Sequence, residues 1–467
     1  MQQVPQIPHI RDFRGQRVHM IGIGGSSMSG LAEMLQAQGY QLTGSDNTDS
    51  YATRKLQERG VFITIGHHAA NVAGASLVVY TAAIAPDNAE RVACEREGIP
   101  TLERAYLLGQ LMEGYPCAIG VSGVHGKTTT SSMLAQILLE AGRDPAISIG
   151  GSLDAIGGGM RVGHGDVFLA EACEFNASFL RLRPTVAVLL NIDEDHLDFY
   201  RDIDHITDTF AEFLAMLPPD GTCVAWGDDE RVLSLLPGLP CLWLTYGLGE
   251  HNRWQPLELT YDQTGHAAFT ATLDGQPMAR VELQVPGSFQ TLNALAALAT
   301  AHAVGVDMDI AARALGGFVG VHRRFELTGV VQGVRLYHDY GHNPTEMRYA
   351  LSVANMQPHN RLWAVMQPHT YSRVKRLFES YIHCCDVADE ILITDIYAAR
   401  EKDPGDIHST MLVERIAATG QRVHYTPTFD DTEAYLREHW QPGDLVLTMG
   451  CGNINLLNDQ IAENEEG

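Results

Sequence analysis

The stretch CAIGVSGVHGKTTTSSMLAQILLEAG, Cys117 to Gly142, decides how the chain is read. Cys117 to Val121 is an apolar run of strand length, and Thr128 to Ala141 carries helical periodicity through Met133, Leu134, Ile137, Leu138 and Ala141. Gly142 closes that helix. A strand, a glycine-rich turn and a helix N-terminus in this order form the context of a phosphate-binding loop, whose backbone N–H groups cradle an anion. Gly123, Val124, His125 and Gly126 make the turn; Lys127 is placed to reach β/γ-phosphates, Thr128 to ligate Mg²⁺, and Thr129 follows in the first helical turn. Only two residues separate Gly123 from Gly126, against about four in the general motif, so the loop is a variant. The plain alternative is an ordinary strand-to-helix turn with a surface lysine.

Working outward, 467 residues suffice for about three domains with their own cores. With 45% hydrophobic and 7% aromatic residues the chain is globular. No apolar stretch approaches the roughly 20 residues of a membrane span, and MQQVPQIPHIRDFRGQRVH has no apolar signal-peptide core, so a cytoplasmic protein without a membrane partner is expected. The eight cysteines contain no CxxC pair and fit reduced thiols. A formal net charge of −25 argues against a nucleic-acid or anionic-membrane surface, since both need a basic footprint. Monomer and homodimer both stay open.

A first block begins with a strand from Arg17 to Ile23, enters GIGGSSMSG with Gly22, Gly24 and Gly25, and continues as a helix to Gly39. A second strand, Tyr40 to Gly44, ends at Ser45 and Asp46. Asp46 follows Gly24 by 22 residues, about where a dinucleotide-binding fold places its ribose-contacting acid. An NAD(P)-dependent oxidoreductase is therefore a rival reading, on a fingerprint whose third glycine position is Ser27. Further strands are expected at Val61 to Ile65 and Leu77 to Ile84.

The second block alternates strands, including Val167 to Ala170 and Val186 to Ile192, with helices. These two strands end in polar clusters, EACEFNASF from Glu171 and NIDEDHLDFY from Asn191. Ligands of open α/β sheets gather at the carboxyl ends of strands, so both clusters are expected to face the phosphate loop. Glu171 and His196 are candidate Mg²⁺ ligands, with Glu171 and Thr128 the more natural oxygen donors. A solvated acidic turn of Asp193, Glu194, Asp195 and Asp198 is the alternative.

A third block opens at HRRFE, His322 to Glu326, and contains RLYHDYGHNPTEM. Asn343 and Pro344 read as an N-cap and first helical residue, with Glu346 in the first turn. His338 and His342 stand four apart, but the expected helix starts after them and HExxH is missing, which argues against a zinc pair. Strands are expected at Leu362 to Met366, Ile391 to Thr394 and Leu445 to Thr448, followed by loops such as QPHTYSR and MGCGNI. The blocks are set at 1–108, 109–321 and 322–467.

Taken together, GIGGSSMSG with TGSD, GVHGKTTT, NIDEDHLDFY, HRRFE, HDYGHNPTE, QPHTYSR and DIYAARE resemble, in order, the motifs of the Mur ligases of peptidoglycan synthesis. The resemblance implies an α/β protein of three domains: a Rossmann-like N-terminal domain binding the UDP-sugar, a P-loop ATPase-like central domain binding ATP, and a Rossmann-like C-terminal domain closing over both. It implies an amide ligase that joins L-alanine to UDP-N-acetylmuramate through an acyl phosphate, with ATP and Mg²⁺. The branch that recycles a murein tripeptide onto the same sugar is the alternative within the family, and a non-catalytic nucleotide sensor the alternative outside it.

By the same resemblance Lys127 holds the β/γ-phosphates, Thr128 ligates one Mg²⁺, and Glu171 with His196 ligates a second. Asn293 contacts adenine, Arg324 and Asp339 reach phosphate and ribose, and Tyr340 and His369 lie near the incoming amino acid. Gly22, Gly24, Gly25, Ser45 and Asp46 line the UDP-sugar site. Three departures stand out: EACEFN where the family has EADESD, Asn343 in place of a second histidine, and Thr370 in place of an arginine, which leaves Arg373 to hold the alanine carboxylate. No lysine occurs from Glu171 to Asp229, where ligases of later steps carry a carbamoylated one.

Overall fold

The computed structural model describes residues 7–196 and 199–466; the opening MQQVPQ and two positions of NIDEDHLDFY, Leu197 and Asp198, lie outside the described residues. Three sheets follow one another along the chain. The first holds β1 (Arg17–Ile21), β2 (Gln41–Asp46), β3 (Phe62–Ile65), β4 (Leu77–Tyr80) and β5 (Thr101–Glu103). Its order is β3-β2-β1-β4-β5 and every pair is parallel. The order reverses beside β1, so the loop after β1 lies at a topological switch point, where open α/β sheets take ligands.

The second sheet comprises β6 (Cys117–Ser122), β7 (Ala146–Leu153), β8 (Gly158–Arg161), β9 (Val167–Glu171), β10 (Val186–Leu189), β11 (Thr222–Trp226), β12 (Leu242–Tyr246), β13 (Trp254–Tyr261), β14 (His266–Leu273) and β15 (Gln276–Pro286). They lie in the order β15-β14-β13-β12-β11-β10-β6-β9-β7-β8. The run from β12 to β7 is parallel, and β8 returns antiparallel on β7. β9 and β10 read VFLAE and VAVL with nearly every residue buried, the continuous apolar run of a strand covered on both faces. The third sheet has β16 (Glu326–Val331), β17 (Val334–Asp339), β18 (Leu362–Met366), β19 (Glu390–Ile393), β20 (Val423–Tyr425) and β21 (Leu445–Met449), in the order β16-β17-β21-β18-β19-β20. Only β16 pairs antiparallel in that sheet.

By contacts the chain divides into two units. One runs through Leu257 and takes in Ala271–Arg280 and Leu292–Leu315; the other holds Glu258–Thr270, Val281–Thr291 and the chain from Gly316 on. A core of apolar side chains from both of the first two sheets binds the first unit, including Leu31, Leu77, Phe168, Phe179, Leu189 and Phe213. The helix Arg104–Met112 sits at the joint: a Cβ on its Gly109 would strike the Arg181 carbonyl, so bare glycine backbone makes that approach. The block boundary set at 108 falls inside this helix.

Most expected strands are present, and two end early for visible reasons. The strand expected to Ile84 stops at Tyr80, because Ile84 N donates to Thr81 O at 2.9 Å and closes a turn. The strand expected to Ile192 stops at Leu189, because Asn191 turns its side chain onto the loop after β6. Among the described residues no helix is long and apolar enough to cross a membrane.

Candidate active site

The helix after β6 runs Lys127–Glu140 and begins at Gly126, which has φ 84°. Gly123 has φ 133°, and a Cβ there would stand 2.9 Å from Leu190 Cβ and 3.1 Å from Asn191 N; both conformations require glycine. Asn191 fastens the turn. Its Oδ1 accepts from Val124 N (3.0 Å) and His125 N (2.8 Å), and its Nδ2 donates to His125 O (2.9 Å). His125 Nε2 lies 3.0 Å from Asp193 Oδ2, and that contact, ahead of the opposing effect of burial, holds the Asp193 carboxyl below its usual range.

Lys127 folds back onto this loop. Its Nζ donates to Gly123 O (2.6 Å) and Val124 O (3.0 Å) and lies 2.7 Å from the nearer oxygen of Glu174, which is buried. Burial alone pulls the ammonium down, but the charges of Glu174 and Glu171 outweigh it and hold Lys127 above its ordinary value. Beside it Thr128 Oγ1 donates to Glu171 at the end of β9, 3.0 and 3.1 Å from its two oxygens. Glu171 also accepts from Gly150 N at 2.6 Å. His196, at φ 49°, brings its Nε2 to 3.7 Å from Glu174 Oε1. Thus the structure gathers Lys127, Glu174 and His196 on one side and Thr128 with Glu171 on the other. Asn293 lies behind the helix, where its Oδ1 accepts from Thr130 Oγ1 at 3.2 Å and would meet a Cβ on Gly126 at 2.7 Å.

The unusual EACEFN segment is accommodated locally. The Phe175 ring sits edge-on to the His196 ring at 4.8 Å, and Asn176 and Ala177 take left-handed backbone. Burial pushes the Cys173 thiol up to about 11, far from a reactive thiolate.

In the first sheet, Gly22 N and Ile23 N donate to Ser45 O at 2.8 and 3.1 Å, and Gly24 N donates to Asp46 Oδ2 at 2.9 Å. The helix Ser26–Ala37 starts at Gly25 without a side-chain cap, leaving N–H groups for an anion. The Ser45 side chain is fully buried and points away from that edge, its hydroxyl donating to Glu90 at 2.6 Å. Glu90 is itself enclosed and also accepts from Asn71 Nδ2 at 2.5 Å, with His67 Nδ1 at 3.4 Å and His19 Nε2 at 3.7 Å. Burial raises its pKa, but His19 first, then Ser45 and Asn71, prevail and bring it to about 2.

In the second unit, Asp339 closes β17 and accepts from Gly341 N (2.6 Å) and Phe325 N (2.9 Å); burial pushes it up against the pull of Arg324. The Arg324 and Arg323 guanidinium groups each lie 4.9 Å from the Tyr340 ring centre. His338 lies on β17, not on a helix, with Arg323 Nε 3.2 Å from its Nε2 and Thr448 Oγ1 3.0 Å from its Nδ1. Burial first, then Arg323, takes it down to about 3. His369 stacks on Tyr397 at 5.7 Å, and Arg373 Nη1 lies 3.0 Å from its Nδ1; burial, then His342 and Arg373, takes His369 down to about 4. Thr370 is engaged with Glu401 at 2.8 Å.

Asn191, Glu174 and Gly150 join the site beyond the residues expected from the sequence. Asn191 and Glu174 stood in quoted motifs, whereas nothing near Gly150 in sequence points to Glu171.

Among the described residues no group of three or more His, Cys, Asp or Glu is built to hold a metal. Thr128 and Glu171 supply a hydroxyl and a carboxylate within one contact, all oxygen, which suits Mg²⁺ when phosphates and water complete its shell.

Residues 17–116 match the Mur ligase family catalytic domain, 121–301 the Mur ligase middle domain and 323–452 the Mur ligase glutamate ligase domain. The chain is 46% identical to the UDP-N-acetylmuramate–L-alanine ligase of Caldanaerobacter subterraneus subsp. tengcongensis, covering 96% of this chain and 97% of that one. It is 44% identical to the enzyme of the same name from Acetivibrio thermocellus, over 97% and 96%. In fold it is similar to the crystal structure of UDP-N-acetylmuramate–alanine ligase from Thermotoga maritima, with TM-score 0.80 at 24% identity, over 97% and 99%.

Proposed function

The chain belongs to the Mur ligase family, and from that premise we propose that it is the ATP-dependent ligase joining L-alanine to the carboxylate of UDP-N-acetylmuramate, in the cytoplasm. The observation that carries the reading is the loop of β6, where one ammonium, one hydroxyl and two carboxylates meet over a helix N-terminus. An amide from a carboxylate and an amine needs a better leaving group than oxide. The muramyl carboxylate attacks the γ-phosphorus of ATP, ADP leaves, and an acyl phosphate forms. The alanine amine adds to its carbonyl carbon, loses a proton, and the tetrahedral oxyanion collapses to the amide with loss of phosphate.

Phosphoryl transfer is catalysed by positioning and charge neutralisation. Lys127 moves from Glu174 onto the β/γ oxygens, and the N–H groups of the loop, held by Asn191, orient them. Thr128 and Glu171 would hold a Mg²⁺ ion, with His196 approaching from the Glu174 side, and the ion would supply neutralisation of charge on the phosphates. Asn293 contacts the adenine. Gly22, Gly24, Gly25 and Asp46 receive the UDP-sugar, with Ser45 acting through its carbonyl. Arg324 and Asp339 serve ATP phosphate and ribose, while Tyr340, His369 and Arg373 serve the amino acid. A neutral His369 beside Arg373 suits an amino-acid carboxylate held by the guanidinium. The first block serves the sugar nucleotide, the second ATP and the third, 322–467, the amino acid, with the first boundary moved from 108 past the helix Arg104–Met112.

The test is phosphate release from ATP, Mg²⁺ and UDP-N-acetylmuramate with L-alanine, glycine, L-serine or the murein tripeptide added separately. Release that rises most with L-alanine supports the reading. Release with the tripeptide alone moves the chain to the recycling branch, and silence in every well overturns the ligase.

A further inference from the structure

One hairpin touches both glycine loops' supports. β7 and β8 pair Ile147 with Arg161 and Ser148 with Met160, but the register slips between Ser148 and Leu153. The slipped segment carries Gly150, whose N–H donates at 2.6 Å to Glu171, the carboxylate that also takes the Thr128 hydroxyl. A Cβ on Gly150 would stand 2.9 and 3.0 Å from the two Glu171 oxygens, so a larger residue would displace them. Gly159, across the hairpin, lets the segment close: a Cβ there would lie 2.8 Å from the carbonyl oxygens of Ile149 and Gly151. At the next position the Met160 side chain covers the bare Cα of Gly30, where a Cβ would collide with it. Gly30 belongs to the helix that begins at the Gly22–Gly25 loop.

We propose that this hairpin sets the orientation of Glu171: Gly150 fixes the carboxylate, Gly159 permits the slip that delivers Gly150, and Met160 clamps the hairpin on Gly30. The three are positioning residues for the cation site formed by Thr128 and Glu171, and the clamp ties that site to the helix behind the sugar-nucleotide loop. The inference rests on the ligase reading. A charge-assisted bond of this length locks one carboxylate rotamer, and groups that orient a ligand in this way typically govern metal affinity by about 10- to 100-fold.

The experiment uses the full chain with Mn²⁺ as probe, free Mn²⁺ being followed by electron paramagnetic resonance in the presence of ADP. Gly159→Ala and Met160→Ala are expected to weaken Mn²⁺ uptake about 10-fold or more and to raise by a similar factor the Mg²⁺ needed for half-maximal turnover. The maximal rate at saturating Mg²⁺ stays within about threefold, and Met160→Leu, which keeps the volume, restores the affinity. A melting curve on each variant identifies any that does not fold, and Met160→Leu against Met160→Ala then decides. Unchanged Mn²⁺ affinity in folded Met160→Ala and Gly159→Ala overturns the proposal. Wild-type protein that takes up no Mn²⁺ with ADP overturns the cation site itself, and this role with it, whereas turnover with no alanine dependence but intact Mn²⁺ effects overturns only the ligase reading.

Discussion

The loops after β1 and β6 both leave a parallel strand through glycines into a helix N-terminus, yet they are fastened in opposite ways. The β6 loop is gripped from the neighbouring strand by the Asn191 side chain and carries its own cation, Lys127. The β1 loop is held by the end of β2, through the Ser45 carbonyl and the Asp46 carboxylate, and carries no cation. A rigid loop with a fixed positive charge stabilises charge that develops during reaction, whereas N–H groups next to a carboxylate select and orient a ligand already formed. On the proposed function, the difference separates the loop assigned to chemistry from the loop assigned to recognition.

The comparison breaks most sharply at Lys127. Lys127→Met is expected to lower the phosphate-release rate about 1000-fold, the upper range for losing one electrostatic stabiliser, while UDP-N-acetylmuramate affinity by calorimetry stays within twofold. Glu171→Gln keeps the shape and removes the charge; turnover falls about 100-fold at ordinary Mg²⁺ and recovers partly as Mg²⁺ is raised, read from a metal titration. Asn191→Ala removes three hydrogen bonds from the β6 loop, so the KM for ATP should rise about 10-fold and urea unfolding should show a loss of roughly 1–3 kcal/mol. On the other loop, Asp46→Asn should raise the KM for the sugar nucleotide severalfold and leave kcat alone; an equal fall in kcat would erase the distinction between the loops.

Glu90 sharpens the same contrast through stability. Its folded pKa of about 2 lies below the unfolded value of about 4.3, so the stabilisation is complete above pH ~4.3 and is lost as pH falls towards 2. The shift corresponds to roughly 3 kcal/mol. The stability difference between wild type and Glu90→Gln, from urea melts at pH 7, 4 and 3, should therefore shrink as pH falls.

The β6 loop was legible because strand, turn and helix are contiguous in sequence: Lys127 and Thr128 are named by their neighbours. Glu171 was legible as the polar end of an apolar strand. What escaped depends on sheet order. Asn191 and Gly150 reach the site only because β10, β6, β9 and β7 lie side by side, a sequence of neighbours that no local pattern contains. The same holds for Ser45, expected at the ligand and found turned inward to Glu90, because the helix carrying Glu90 comes 45 residues later. Strand limits failed where a side chain, as at Asn191, took over from the backbone ladder. The resemblance carried the fold and family further than periodicity alone, and the roles of Arg324, Asp339, Tyr340, His369 and Arg373 rest on it.

Lys127 is never bare: its ammonium already holds two carbonyls and the Glu174 carboxylate. An arriving anion must therefore compete with an occupant of charge −1 instead of filling a vacancy. Chloride or acetate gains little from such an exchange, while a triphosphate, with several charges spread over adjacent oxygens, gains enough to win. On the proposed function the loop would thus act as an ion exchanger with a built-in threshold, selecting for charge density before any feature of the base or the sugar is read.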